Sequence, residues 1–112
     1  MAGGALGAVA RYAIGLAIMN RYTGNFPVAT FLINVTGSFL IGLILTAMPD
    51  TFMVAKAFWV TGVLGGYTTF SSFEWEALSS PRDIAAIYLV SSVFLGLTAC
   101  WAGAGLARYL TR

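Results

Sequence analysis

Pro27-Val-Ala-Thr30-Phe-Leu-Ile-Asn34-Val-Thr-Gly37-Ser38-Phe-Leu-Ile-Gly42-Leu-Ile-Leu-Thr-Ala-Met48 lies in a run of 28 residues, between Arg21 and Asp50, that holds no charged side chain. A helix crosses a hydrocarbon core about 30 Å thick with roughly 20 apolar residues, so this stretch alone spans a bilayer. Further uncharged runs of 17 residues (Lys56 to Glu74) and 24 residues (Asp83 to Arg108) follow it. Of the 112 residues, 59% are hydrophobic and only 9% charged. A soluble domain carries about 25% charged residues to face water. The chain therefore reads as an all-α integral membrane protein.

The same inventory narrows the chemistry. There is no His, which removes the commonest general base and the commonest transition-metal ligand. The single Cys100 excludes an intrachain disulfide, a thiolate zinc cluster and a CxxC redox pair. The net charge of +2 comes from scattered residues, with no basic run for nucleic acid. Neither an enzyme nor a binder of protein substrates is indicated.

Four transmembrane helices are expected, near 2–20, 27–48, 52–79 and 82–107, in one domain over 1–112. The polar turn Arg21-Tyr22-Thr23-Gly24-Asn25-Phe26-Pro27 separates the first two, with Pro suited to a first helical turn. Pro49-Asp50-Thr51 ends the second helix and offers Asp50 as an N-cap for the third. Ser80-Pro81-Arg82-Asp83 has the form of a capping box before the fourth. No basic region precedes the first apolar run, so no cleaved signal peptide is expected.

Four crossings put both termini on one side. That side carries Lys56, Arg108 and Arg112, and the other carries Arg21 and Arg82. A three-to-two split scarcely selects an orientation under the positive-inside rule. One reading is a single topology with weak bias; the other is insertion both ways and pairing as an antiparallel dimer. Small residues recur at four-residue spacing (Gly3, Gly7 and Gly15, with Arg11 at the intervening position; Ser38 and Gly42; Gly62 and Gly66; Ser92, Gly96 and Cys100). They let helix backbones approach closely in lipid, within a subunit or between subunits.

Function is concentrated in the few polar residues inside the spans. Arg11 is the only charge well inside one, a costly placement that marks either function or a side chain snorkelling to the interface. Asn34 sits one turn from both Thr30 and Ser38, either as interhelical glue or as a donor facing a polar path. Gly62-Val-Leu-Gly65-Gly66-Tyr67-Thr68-Thr69-Phe70-Ser71-Ser72-Phe73 is a poor helix interior. It reads as a glycine packing notch or as a break near Gly65–Thr68, and a break frees carbonyl oxygens suited to a bare cation. Phe70 and Phe73 share a helix face. Their ring edges are electropositive and can face an anion.

Three segments in register resemble the small bacterial Fluc (CrcB) fluoride channels: Gly3-Gly-Ala-Leu-Gly7-Ala-Val-Ala-Arg11-Tyr12, the Asn34 motif from Thr30 to Gly42, and Gly62 to Phe73. The resemblance implies an antiparallel dual-topology homodimer in the bacterial inner or plasma membrane. It would export cytoplasmic fluoride passively and hold a central structural Na⁺. By motif position, the backbone carbonyls of Gly65 and Thr68 would hold that Na⁺. Asn34 would donate to fluoride, Phe70 and Phe73 would be the pore phenylalanines, and Arg11 would lie near the vestibule. Tyr88 and Ser92 match the fourth-helix Tyr and first pore-side Ser, Thr69 belongs to the hydroxyls beside Phe70, and Glu76 matches an acidic residue after the Phe pair. Gly96 and Cys100 stand where further hydroxyls are expected, so the polar track of the fourth helix is shorter here. Ser72 replaces a Thr and keeps the hydroxyl.

Two other classes are open to four small helices. A proton-coupled multidrug exporter needs a carboxylate inside the membrane, and all four acids are expected at helix ends or in loops. A non-conducting assembly subunit would account for the glycine stripes but not for the donors and phenylalanines.

Overall fold

The computed structural model describes residues 2–22, 24 and 26–111. Among these residues it is helical throughout, without strands. Helix α1 is Ala2–Met19, α2 is Val28–Ala47 and α6 is Arg82–Leu110, each long and apolar enough to cross a membrane. The third crossing is composite. It starts as α3 (Met53–Lys56), widens into a π-helical stretch (Ala57–Leu64), returns to one α-turn, α4 (Gly65–Tyr67), and resumes as α5 (Phe70–Ser79). Between α4 and α5 the backbone is extended, with φ/ψ of −82°/158° at Thr68 and −150°/116° at Thr69.

The break expected near Gly65–Thr68 is present, and it falls two and three residues after the glycine pair, at Thr68 and Thr69. Gly65 is helical, with φ −62° and ψ −37°. Thr68 and Thr69 leave the helix instead, because β-branched side chains favour extended backbone and Thr69 is held extended as the N-cap of α5, its hydroxyl accepting from the Ser72 N–H. The glycines serve as the packing notch. A Cβ at Gly66 would strike the Gly4 carbonyl, and one at Gly62 would come within 3.1 Å of the Gly3 Cα.

Most small residues pack within the chain. Gly3 and Gly7 of α1 are buried against the π stretch and α4, where a Cβ at Gly7 would collide with the Val63 carbonyl. Helices α2 and α6 form the most extensive pair. There Gly42 lies against the Cys100 carbonyl and Gly103 against the Phe39 carbonyl. Gly15 and Gly105 face open space. Large apolar side chains such as Val90, Phe94, Leu97 and Trp101 point outward from α6, as lipid or a partner subunit requires.

Two caps differ from expectation. Phe52, not Asp50, occupies the N-cap of α3. Asp50 instead pairs with Lys56 at 2.8 Å, and that hydrogen bond, reinforced by the ammonium charge, holds its carboxyl below the ordinary carboxylate range. Ser80 does not cap α6; its hydroxyl donates back to the Glu76 carbonyl and closes α5. Pro27 stands immediately before α2, its carbonyl accepting from the Phe31 N–H. In the preceding turn Thr23 and Asn25, like Arg112 of the charge balance, lie outside the described residues.

Candidate functional site

The break is gripped by α2, one residue at a time. Asn34 donates from Nδ2 to the Thr69 carbonyl at 3.0 Å and accepts the Thr69 N–H on Oδ1 at 2.9 Å. These two bonds fix the amide orientation and leave one of its two N–H donors uncommitted. Gly37 receives the Thr68 methyl, where a Cβ would collide with it. Thr36 meets the Tyr67 hydroxyl at 2.9 Å. Asn34 is thus interhelical glue with one N–H donor to spare.

Breaking the helix exposes two kinds of backbone group. The Thr69 N–H, which would bond the Gly65 carbonyl in a continuous helix, goes to Asn34. The Ser72 N–H, which would bond the Thr68 carbonyl, goes to the Thr69 hydroxyl. The carbonyls of Gly65 and Thr68 are therefore relieved of their helical partners, which suits them as hard oxygen ligands for a small cation. The N–H and C=O bonds of a trans peptide point in opposite directions. By holding the Thr69 N–H, Asn34 accordingly turns the Thr68 carbonyl away from itself. Among the described residues no three acidic or Cys side chains converge as a metal site. On the other side of the break, the first amides of α5 lack intrahelical acceptors and carry the positive end of its dipole.

A cavity of about 370 Å³ lies along this face. Asn34, Ser38, Gly65, Thr68, Thr69, Phe70, Phe73 and Ser92 line it together with apolar residues, and none of its lining residues is charged. The Ser92 hydroxyl is buried there and has no hydrogen-bond partner among the described residues. A buried polar atom left unpaired costs about 1–3 kcal/mol, so this hydroxyl is a donor available to an acceptor in the cavity. The Phe70 and Phe73 ring centroids are 5.8 Å apart. Phe73 is buried, while Phe70 is 70% exposed.

A second cavity, about 520 Å³, lies on the other side of the clasp. Arg11, Thr30, Thr69, Ser72 and Glu76 supply its polar wall. Arg11 sits mid-way along α1, half-buried, and is not within ion-pair distance of Glu76. Thr69 is the single residue common to both linings.

The expected site residues therefore fall into four groups. Asn34, Phe70, Phe73, Ser92, Gly65 and Thr68 surround the neutral cavity; Arg11 lines the charged one; Thr69 belongs to both. Tyr88 lines neither. It is fully buried, its ring edge-on to Phe73 at 5.0 Å and to Phe26 at 5.4 Å, and its hydroxyl donates to Glu76 at 3.4 Å. Glu76 also accepts from the Thr30 hydroxyl at 2.7 Å. This corrects the expectation that all acids lie at helix ends: Glu74 and Glu76 are both inside α5, and Glu76 faces the interior. Ser38 and Thr30 join the two linings from positions one turn after and before Asn34. That spacing was the signal in the sequence that marked them.

Comparison with known proteins fits this arrangement. The family model described as CrcB-like protein, Camphor Resistance (CrcB), matches residues 1–104. A protein named Fluoride-specific ion channel FluC from Solibacter usitatus is 44% identical over 114 residues, covering 95% of this chain and 93% of the relative. Another of that name from Acidobacterium capsulatum is 48% identical over 109 residues, covering 90% and 86%. A third, Fluoride-specific ion channel FluC 2 from Yersinia pseudotuberculosis, is 44% identical over 114 residues, covering 94% and 90%. With its match running almost from end to end and its apolar helices in place, the chain belongs to the CrcB-like family of multi-pass membrane proteins.

Proposed function

We propose that this chain, as one transmembrane unit over residues 1–112, is a subunit of a fluoride-selective channel. It releases cytoplasmic fluoride passively and so relieves its toxicity; it is not an enzyme. The working form is an antiparallel dual-topology homodimer, consistent with the balanced basic residues and with the outward apolar surface. The names of the relatives support fluoride as the transported ion.

The observation that carries this reading is that the Ser92 hydroxyl, unpartnered among the described residues, and Asn34, with a spare N–H, line one cavity without charge. Fluoride is compact and strongly hydrated, so a dry path must replace its water with hydrogen-bond donors. Neutral donors do this without a fixed positive charge that would trap the ion, and conduction needs sites strong enough to enter and weak enough to leave. Ser92, Asn34 and the α5 amide end supply such donors, and the edges of Phe70 and Phe73 add weak positive surface. Arg11 in the neighbouring cavity raises the local anion concentration. Thr69, shared by both cavities, is the handover point. Tyr88 acts from behind, bracing Phe73 and holding Glu76.

The Gly65 and Thr68 carbonyls, doubled by a second subunit, would hold a structural Na⁺. When bound, that ion supplies positive charge at membrane depth, which favours an anion nearby.

Glu76 gives the proton-coupled exporter reading one specific foothold, since it is an interior carboxylate. Reconstitution into liposomes separates the two. For a channel, fluoride efflux follows the fluoride gradient with or without an imposed pH gradient. Flux that requires the proton gradient and disappears in Glu76→Gln would favour the exporter.

A further inference from the structure

Three consecutive residues of the break, Tyr67, Thr68 and Thr69, are each held by α2, through Thr36, Gly37 and Asn34. The Asn34 clasp acts on the peptide that joins Thr68 to Thr69. Something else must hold the carbonyl end, the turn Gly65–Tyr67. The proton count at Thr36 shows what does so. Its hydroxyl donates to the Leu32 carbonyl at 2.7 Å, so its oxygen is left to accept, and the Tyr67 hydroxyl is the donor of the 2.9 Å bond. The ring beside that hydroxyl lies against Gly37, 3.4 Å from where a Cβ would be. A larger residue at 37 would displace it.

We propose that Thr36 and Tyr67 form a positioning pair for the carbonyl end of the break. The hydrogen bond ties the last residue of α4 to α2 and so fixes the Gly65 and Thr68 carbonyls that flank it. Neither side chain touches the anion cavity; the pair acts on the cation site. Tyr67 is the only residue of α4 whose side chain hydrogen-bonds α2 among the described residues. Without it the turn is held by its backbone and by glycine contacts alone. The inference rests on the Na⁺ reading given above, and its test distinguishes the two.

The experiment is thermal unfolding of the purified full-length protein in detergent. Na⁺ is titrated against choline at constant ionic strength, because a ligand that binds only the folded state raises its stability with concentration. Tyr67→Phe and Thr36→Val should each raise the Na⁺ concentration for half-maximal stabilisation by about two- to tenfold, the range of one hydrogen bond. The double variant should raise it no further than either single one. Thr36→Ser, which keeps the acceptor, should retain the wild-type midpoint. A pair with a merely structural role would lower unfolding temperature equally at every Na⁺ concentration and leave the midpoint in place, which overturns the proposal. If Tyr67→Phe does not fold, the comparison of Thr36→Val with Thr36→Ser decides the matter alone. Wild-type melting that ignores Na⁺ would remove the cation reading itself, and the pair's role with it.

Discussion

Ser92 and Asn34 show how differently two donors in one cavity respond to substitution. Removing the Ser92 hydroxyl takes away a buried group that has no partner among the described residues, so Ser92→Ala should leave the unfolding temperature unchanged or raise it. The same change should cut fluoride flux by about ten- to a hundredfold, the range for a hydrogen bond to a charged group. Stability and flux moving together would mean that the hydroxyl has only a packing role. Asn34→Ala removes both bonds to Thr69 and leaves its N–H and carbonyl unsatisfied. It should destabilise by about 2–4 kcal/mol as well as stop flux, which makes Ser92 the cleaner probe. Much of this site was legible in the sequence, because a neutral amide, paired Thr and a Phe pair are conspicuous among apolar residues. The place of Tyr88 was not. Four residues before Ser92 on α6, it shares that helix face, yet Phe73 and Phe26 cover it, and a spacing rule does not reveal what covers a ring.

Among the helices, the glycines carry the sharpest distinction. Gly42 and Gly103 lie at the α2–α6 contact, where a Cβ would collide with a backbone carbonyl, whereas Gly105 faces open space. Gly42→Ala or Gly103→Ala should destabilise by about 1–3 kcal/mol through forced helix separation. Gly105→Ala should be neutral or slightly stabilising, since Ala is the better helix former. Chemical or thermal unfolding of the three variants checks this; equal effects would mean that the close α2–α6 approach is not needed. Spacing alone marked all these glycines as small and could not separate the buried from the open. The composite crossing was similarly half legible. Gly65-Gly66-Tyr67-Thr68-Thr69 announced a break, but its position depended on Asn34 capturing the Thr69 amide across the fold and on the Thr69 hydroxyl capturing that of Ser72. The π-helical stretch had no signal: Ala57–Leu64 reads as ordinary apolar helix, and only its seat against Gly3 and Gly7 distinguishes it.

At the scale of the whole molecule, charge is nearly absent from the spans and nearly balanced across them. Insertion in both orientations follows if no side attracts the basic residues more strongly. A reporter cysteine at Thr51, in a Cys100→Ala background, should then react with an impermeant reagent applied from either side of the membrane. Reaction from one side only would establish a single topology. The described structure places Arg11 and Glu76 in one cavity and neutral donors in the other, joined at Thr69. In the proposed channel, this division would admit an anion at a charged antechamber and pass it through an uncharged filter. The most direct test is efflux from proteoliposomes loaded in parallel with fluoride or chloride at equal concentration, with K⁺ and an ionophore to dissipate charge. Fluoride should leave rapidly from liposomes containing the wild-type protein, while chloride remains trapped as in protein-free liposomes. Fluoride leaving no faster than chloride would contradict the account.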